Sequence, residues 1–255
     1  MLSKAKIKLI HSLELKKFRN ETDAFVAEGN KLVADILPVF ACELLIAQSE
    51  WLAAQGPIKA KEVIEVTEEE MRKASLQKSP QQVLGVFKRP QASLEQVNPA
   101  TALVLALDGV QDPGNLGTIV RLADWFGIQD IVCSRDTADL FAPKTVQATM
   151  GAIFRVPVRY TDIPDVCREA VGWGGRVYGT FLDGDNMYSA DIERRMDLPV
   201  IIVIGNESNG ISPEVASAVT DRLFIPPYPA DDPGSESLNA AVATAIVVNE
   251  FRRGL

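Results

Sequence analysis

Four short stretches carry residues whose types and spacing suit chemistry. The first, DGVQDPGNLGTIVRLA from Asp108 to Ala123, sets Asn115 between Gly114 and Gly117 and brings in Arg121 six residues later. The glycines permit a tight backbone path into a helix whose first turns present an amide and a guanidinium. The second, GNESNGIS from Gly205 to Ser212, follows the apolar run VIIVI and places Glu207 at its centre. A carboxylate at the top of a buried sheet needs a cationic or donor partner, and Arg121 is the expected one. A purely structural Arg–Glu pair is the alternative. The third, IPPYPADDPGSESLNAAVA from Ile225 to Ala243, opens on prolines that hold the backbone extended and gathers Ser235, Ser237 and Asn239 before an apolar helix. Ser235 or Ser237 serving only as that helix's N-cap is the plain alternative. The fourth is GTFLDG, Gly179 to Gly184.

What is missing narrows the chemistry. His11 is the one histidine, in a Lys-rich opening helix, so Ser-His-Asp, Cys-His and multi-His metal sites have no material. Gly205 to Gly210 copies the GxxxxG spacing of a phosphate loop, but Ile211 stands where its Lys would be, and the first stretch is not GxGxxG. Cys42, Cys133 and Cys167 are odd in number and far apart, which suits buried thiols rather than disulfides or zinc.

These stretches need elements to position them. Strands are expected near Ala102 to Leu107, Asp130 to Cys133, Arg176 to Phe181, Pro199 to Ile204 and Arg222 to Ile225, with helices between, which reads as a parallel sheet covered on both faces. Each chemical stretch then leaves the carboxyl end of a strand, where open α/β sheets bind ligands. Before a polar, Pro-containing linker at 88–101, shorter alternations predict a small α/β domain, giving domains 1–97 and 98–255. Thr67 with Glu70 reads as a capping box. The closing SLNAAVATAIVVNEF is apolar on almost every face, so it must be covered on all sides, in part by a second subunit.

Charge divides along the chain. The net value is −8, with 14 basic against 13 acidic residues up to position 97 and 12 against 21 after it. Indiscriminate nucleic-acid binding is therefore disfavoured. The local basic side chains Lys16, Lys17, Arg19 and Lys31 of the first domain, with Arg121 in the second, could meet phosphate; an ordinary solvated helix face is the alternative for the N-terminal cluster. No signal peptide and no run of 18 apolar residues occurs, so a cytoplasmic protein without membrane association is expected.

The three blocks DPGNLGTIVRLA, IVIGNESNGIS and IPPYPADDPGSESLNAAVA, in this order and spacing, resemble the signature motifs of the SpoU-type RNA ribose 2′-O-methyltransferases of the SPOUT superfamily. The stretches FRNETDAFVAEGNKLVADIL and SPQQVLGVF are similar to that family's N-terminal RNA substrate-binding domain. The resemblance implies an α/β fold with a deep trefoil knot, a homodimer through the C-terminal helix, and methyl transfer from S-adenosylmethionine to a ribose in rRNA or tRNA. It implies catalytic roles for Asn115, Arg121, Glu207, Ser237 and Asn239. It places the cofactor on Thr180, Leu182, Gly205, Asn206, Ile225 and Leu238. A silent RNA-binding relative is the alternative. The loop 226–237 is longer than the family pattern, and Ala240 and Ala241 replace its usual Val-Ser.

Overall fold

The computed structural model describes residues 1–90, 103–128, 130–193, 197–229 and 237–253. The chain forms two compact units, Met1–Ser93 with Asp139–Phe154, and Leu94–Ala138 with Arg155–Leu255. Most of the expected linker, including the break at 97, lies outside the described residues.

In the first unit, α1 (Lys4–Ser12), α2 (Lys16–Thr22), α3 (Asn30–Ile36), α4 (Ser49–Ala53) and α5 (Glu68–Ala74) accompany β1 (Ala24–Glu28), β2 (Cys42–Ala47), β3 (Val63–Glu65) and β4 (Val83–Lys88). The sheet order is β1-β4-β2-β3, with only β2 and β3 parallel. The capping box on α5 is present as expected, Thr67 and Glu70 satisfying each other's backbone amides. The brief α4 has no sequence signal longer than a turn, and the periodicity misses it.

The segment 139–154 differs from the contiguous domains expected. It leaves the second half of the sequence and folds into the first unit, with α7 (Pro143–Ala148) against β1. Phe141 packs on Phe25 with ring centroids 5.0 Å apart, and the Arg89 guanidinium lies 5.5 Å over Phe141. Arg19 donates to Asp139 from Nε and Nη2 at 3.0 and 2.6 Å. The Arg19 side chain is buried and that of Asp139 partly so; removing Asp139 leaves an uncompensated buried charge, at a cost of up to about 3–5 kcal/mol.

The second unit contains β5 (Leu103–Leu107), α6 (Pro113–Trp125), β6 (Asp130–Cys133), β7 (Val158–Tyr160), α8 (Ile163–Gly172), β8 (Arg176–Asn186), β9 (Val200–Ile204), α9 (Pro213–Ala216), β10 (Asp221–Phe224) and α10 (Ala240–Arg252). All five strand pairings are parallel, in the order β10-β8-β9-β5-β6-β7. Strands β5 and β9 are buried along their whole length, as expected of strands covered on both faces. Ile211, in the place of a phosphate-loop Lys, packs into the core with Val203 and Val215.

Helix α10 packs against α6, and Phe251 meets Tyr178 edge-on at 4.9 Å. One face, with Thr244, Val247, Val248 and Phe251, is buried, while Val242 is 49% exposed. Within one chain the helix is therefore covered on one side. The expected knot involves the C-terminal chain, of which 230–236 lie outside the described residues. Among the described residues no helix is long and apolar enough to cross a membrane. The three cysteines are free and buried, and burial pushes the Cys42 and Cys167 thiols up to about 12.

Glu28 ends β1 in a buried position, accepting from Ser75 Oγ at 2.5 Å and Leu76 N at 2.8 Å. Burial raises its pKa above the ordinary 4.5. A carboxyl whose folded pKa is raised contributes stability that is fully present below the unfolded value and lost as pH rises through the folded one. The urea midpoint of the wild-type protein, compared with Glu28→Gln, is therefore expected to gain as pH falls from 7 towards 4.5. A difference that stays flat over that range contradicts this assignment.

Candidate active site

The site begins with two neighbouring strands. Leu107 is paired with Ile204 at the carboxyl ends of β5 and β9, and Asp108 N continues the ladder to Ile204 O at 2.9 Å. The chain order reverses between these strands, so their following loops diverge around a crevice. After β5, Asp112 caps α6 by accepting from Asn115 N at 2.9 Å. That cap holds Asn115 in the helix's first turn, half-buried and facing the loop after β9.

Three side chains from three distant blocks then join in one run. Asn239 caps α10, its Oδ1 accepting from Ala241 N and Val242 N at 3.0 and 3.3 Å. With its oxygen committed, its Nδ2 donates to Asn115 Oδ1 at 2.9 Å. Asn115 is thereby left with its own Nδ2 to donate, and this goes to Glu207 Oε1 at 2.7 Å. An amide has a donor end and an acceptor end, so the cap on α10 sets the direction of the whole run.

Here the expected pairing is corrected. Glu207 takes Asn115, not Arg121, and it is exposed rather than sunk in the sheet. Arg121 is exposed and has no hydrogen-bond or ion-pair partner among the described residues. Six residues span roughly 600° of helix, so Arg121 stands about 120° around α6 from Asn115. The N-cap alternative is corrected as well, because Asn239 caps α10; Ser237 is exposed, and Ser235 lies outside the described residues.

The loop after β9 is built on Asn206. Its backbone exchanges two hydrogen bonds of 2.9 Å with Gly210. Its Oδ1 accepts from Ser208 N and Asn209 N at 2.9 Å. Its Nδ2 donates to Gly109 O at 2.7 Å. The Asn206 side chain is thus occupied in shaping the loop that carries Glu207. Gly205 is required by this turn, since a Cβ there would stand 2.3 Å from Gly210 C and 2.5 Å from Ile211 N. A side chain at 205 collides with the loop's own backbone before any ligand is considered. Buried Asp108 anchors the far end of the loop, accepting from Ser212 N at 2.6 Å.

The remaining expected cofactor positions lie on the same side of the sheet. Between Arg222 and Leu223 the pairing on β8 jumps from Gly179 to Asp185, so 180–184 have no partner on β10. Thr180 and Leu182 sit in this released stretch, with Thr180 Oγ1 donating to Val203 O at 3.4 Å. Gly184 allows the strand to return, because a Cβ there would fall 2.7 Å from Leu223 C. Leu182 and Leu238 are 72% and 47% exposed, and Ile225 is half-buried. These residues offer apolar surface and backbone groups. A separate cavity of about 420 Å³ at the β8/β10 edge is bounded by Arg176, Tyr178, Asp185, Asp191, Asp221 and Arg222, and contains none of these residues. Arg176 there is paired with Asp221 and Asp191.

In the first unit, Lys16, Lys17 and Lys31 are exposed, and Lys17 lies 3.9 Å from Glu21. Arg19 does not belong with them. It is 2% exposed, held by Asp139 and by the carbonyls of Leu13 and Glu14 at 2.7 Å each. An arginine on a short basic helix looks solvated in sequence, and only its distant acidic partner reverses that. His11 binds the Lys73 carbonyl at 3.0 Å. Asp112 and Asp108 are functional positions that the motifs of the sequence do not single out. The signal for Asp112 was Asp-Pro at a helix start; Asp108, following an apolar strand, carried none.

Comparison with known proteins agrees with this geometry. The family model "SpoU rRNA Methylase family" matches residues 102–249, and "MRM3-like substrate binding domain" matches residues 4–85. The chain is 33% identical over 250 residues to the 23S rRNA (guanosine(2553)-2′-O)-methyltransferase RlmP of Bacillus subtilis, covering 97% of this chain and 96% of that one. A TrmH-family structure from Porphyromonas gingivalis is 44% identical, with a TM-score of 0.85 and 99% of each chain covered. The AdoMet-bound rRNA methyltransferase of Sinorhizobium meliloti is 35% identical, with a TM-score of 0.83, covering 100% of this chain and 97% of that one. With its three motifs gathered at the carboxyl ends of a parallel sheet and the first of these matches spanning more than half its length, the chain belongs to the SpoU rRNA methylase family.

Proposed function

We propose that this protein is an enzyme of the cytoplasm that transfers a methyl group from S-adenosylmethionine to the ribose 2′-hydroxyl of a nucleotide in structured ribosomal RNA. The observation that carries this reading is the run Asn239–Asn115–Glu207, which brings one polar residue from each motif to the crevice between β5 and β9. The names of the relatives above, rRNA 2′-O-methyltransferases among them, support the substrate class.

The residues present fit the cofactor. Leu182, Leu238 and Ile225 supply apolar surface, Gly205 and Asn206 supply backbone, and Thr180 stands beside them. When bound, S-adenosylmethionine supplies the electrophilic methyl carbon. An apolar surround favours the loss of sulfonium charge during transfer. The ribose hydroxyl is a weak acid and must be aligned and polarised. Arg121, a planar guanidinium with several donors and no acceptor, suits holding a phosphate and donating to the hydroxyl better than removing its proton. Glu207, directed by Asn115, and exposed Ser237 add acceptors and donors for the nucleotide. The first unit contributes Lys16, Lys17 and Lys31 as phosphate contacts, and these act locally because salt screens the distant carboxylates within about 10 Å.

The assembly in this proposal is a homodimer. Val242 on α10, 49% exposed, and Trp125 on the adjoining α6, 83% exposed, are apolar side chains that a second copy would cover.

Arg121→Ala is expected to lower methyl incorporation into rRNA by at least about 100-fold while calorimetric affinity for S-adenosylmethionine stays within about twofold. Retained turnover removes Arg121 from the mechanism. Absence of transfer by the wild-type protein to any rRNA, despite RNA binding, supports the silent relative instead. In the same RNA-binding assay, Lys16→Glu with Lys17→Glu should flatten the salt dependence. Sedimentation at micromolar concentration is expected to give a dimer that Val242→Asp dissociates; a monomeric, active wild-type protein contradicts the assembly.

A further inference from the structure

Arg222 touches the chain on both sides of exposed Leu182. On β10 it stands opposite Gly179 of β8. Its guanidinium carbon lies 3.5 Å from the centre of the Phe181 ring, and its Nη2 donates to Asp183 Oδ1. Gly179 makes room for this arrangement, because a Cβ there would stand 2.5 Å from Phe181 Cε2. The ring is laid back over Gly179 and packs against the core cluster that contains Val203 and Ile211.

Phe181 and Asp183 meet the same side chain, and Phe181 covers Gly179, so these three residues share one face of β8. Alternation along a strand puts Thr180 and Leu182 on the other face, the one on which Tyr178 meets Phe251 of α10. Leu238, the other exposed apolar residue of the proposed cofactor surface, stands two residues before that helix. The stretch 180–184 has no ladder bonds, since pairing with β9 ends at Gly179 and pairing with β10 resumes at Asp185. Its backbone would therefore keep a freedom that a ligand has to remove. Arg222 removes it beforehand. With the Arg222 and Asp183 side chains 44% and 76% exposed, the ion pair alone would contribute little. The planar guanidinium stacks on the ring and bonds the carboxylate at once, which a Lys ammonium cannot do.

We infer that Arg222 is a positioning residue for S-adenosylmethionine, clipping Phe181 and Asp183 so that Leu182 is held in the conformation that meets the cofactor. The inference rests on the cofactor surface proposed above, in which Leu182 takes part.

The test uses the full chain. Arg222→Met keeps the reach of the side chain and removes the guanidinium. The calorimetric Kd for S-adenosylmethionine is expected to rise about fivefold. Order parameters of the 181–183 amides in the cofactor-free protein should fall from about 0.85 towards 0.6. In turnover assays the loss should fall on KM for S-adenosylmethionine rather than on kcat. Arg222→Lys should recover only part of the affinity. Leu182→Ala should weaken cofactor binding by itself, and adding Arg222→Met to it should cost less than about twofold more, because both changes act on one contact. Should Arg222→Met not fold, Asp183→Asn decides by the same measurements.

Either an unchanged Kd or unchanged order parameters in Arg222→Met overturns the inference. Affinity losses that multiply in full in the double variant do so too, since Arg222 then acts elsewhere than through Leu182. Equal losses of thermal stability, cofactor affinity and kcat mark a merely structural clip and have the same consequence. A wild-type protein that binds no S-adenosylmethionine, or a Leu182→Ala variant with unchanged Kd, refutes the cofactor surface itself, and both are read before Arg222 is changed.

Discussion

The candidate site depends on the orientation of one carboxamide. Asn239 must offer its oxygen to the first amides of α10, which lack partners inside the helix. That obligation turns its nitrogen towards Asn115, and Asn115 in turn presents a nitrogen to Glu207. Three side chains that could each rotate freely are reduced to one arrangement by a helix cap. The carboxylate reached at the end of this run is exposed, so it is held by direction rather than by burial. Its competence to meet a polar substrate follows from that.

Backbone geometry supplies the second constraint. Adjacent, parallel β5 and β9 open the crevice by sending their chains apart, and the register jump on β8 frees 180–184 from the sheet. Asn206 closes the remaining loop on itself and ties it to Gly109. The loop after β9 is therefore held by its own hydrogen bonds and by the one to Gly109. Leu182, within the freed stretch, and Leu238, just before α10, face solvent.

The electrostatics fit a protein of net charge −8 that handles RNA. Its buried and half-buried arginines, Arg19, Arg159 and Arg176, are paired with Asp139, Asp130 and Asp221. Arg121 and the lysines of α2 and α3 remain at the surface.

Much of this was legible from the amino-acid order. Alternating apolar strands and helical patterns determined the parallel sheet, the Thr67–Glu70 capping box and the places where loops leave the strands, because these follow from periodicity and local turn chemistry. The motif residues Asn115, Glu207 and Asn239 were legible for the same reason. Their partners were not. Whether Glu207 faces Arg121 or Asn115, whether Asn239 reaches Asn115, and whether Arg19 is solvated or buried depend on residues 92, 124 and 120 positions away in the respective bonds, Glu207–Asn115, Asn239–Asn115 and Arg19–Asp139. The placement of 139–154 in the first unit was hidden likewise, since a segment's own pattern says that it has an apolar face but not which core will cover it. Local order determined the elements and their chemistry; the tertiary structure decided which donor meets which acceptor, because hydrogen bonds and ion pairs are settled by distance in space and direction.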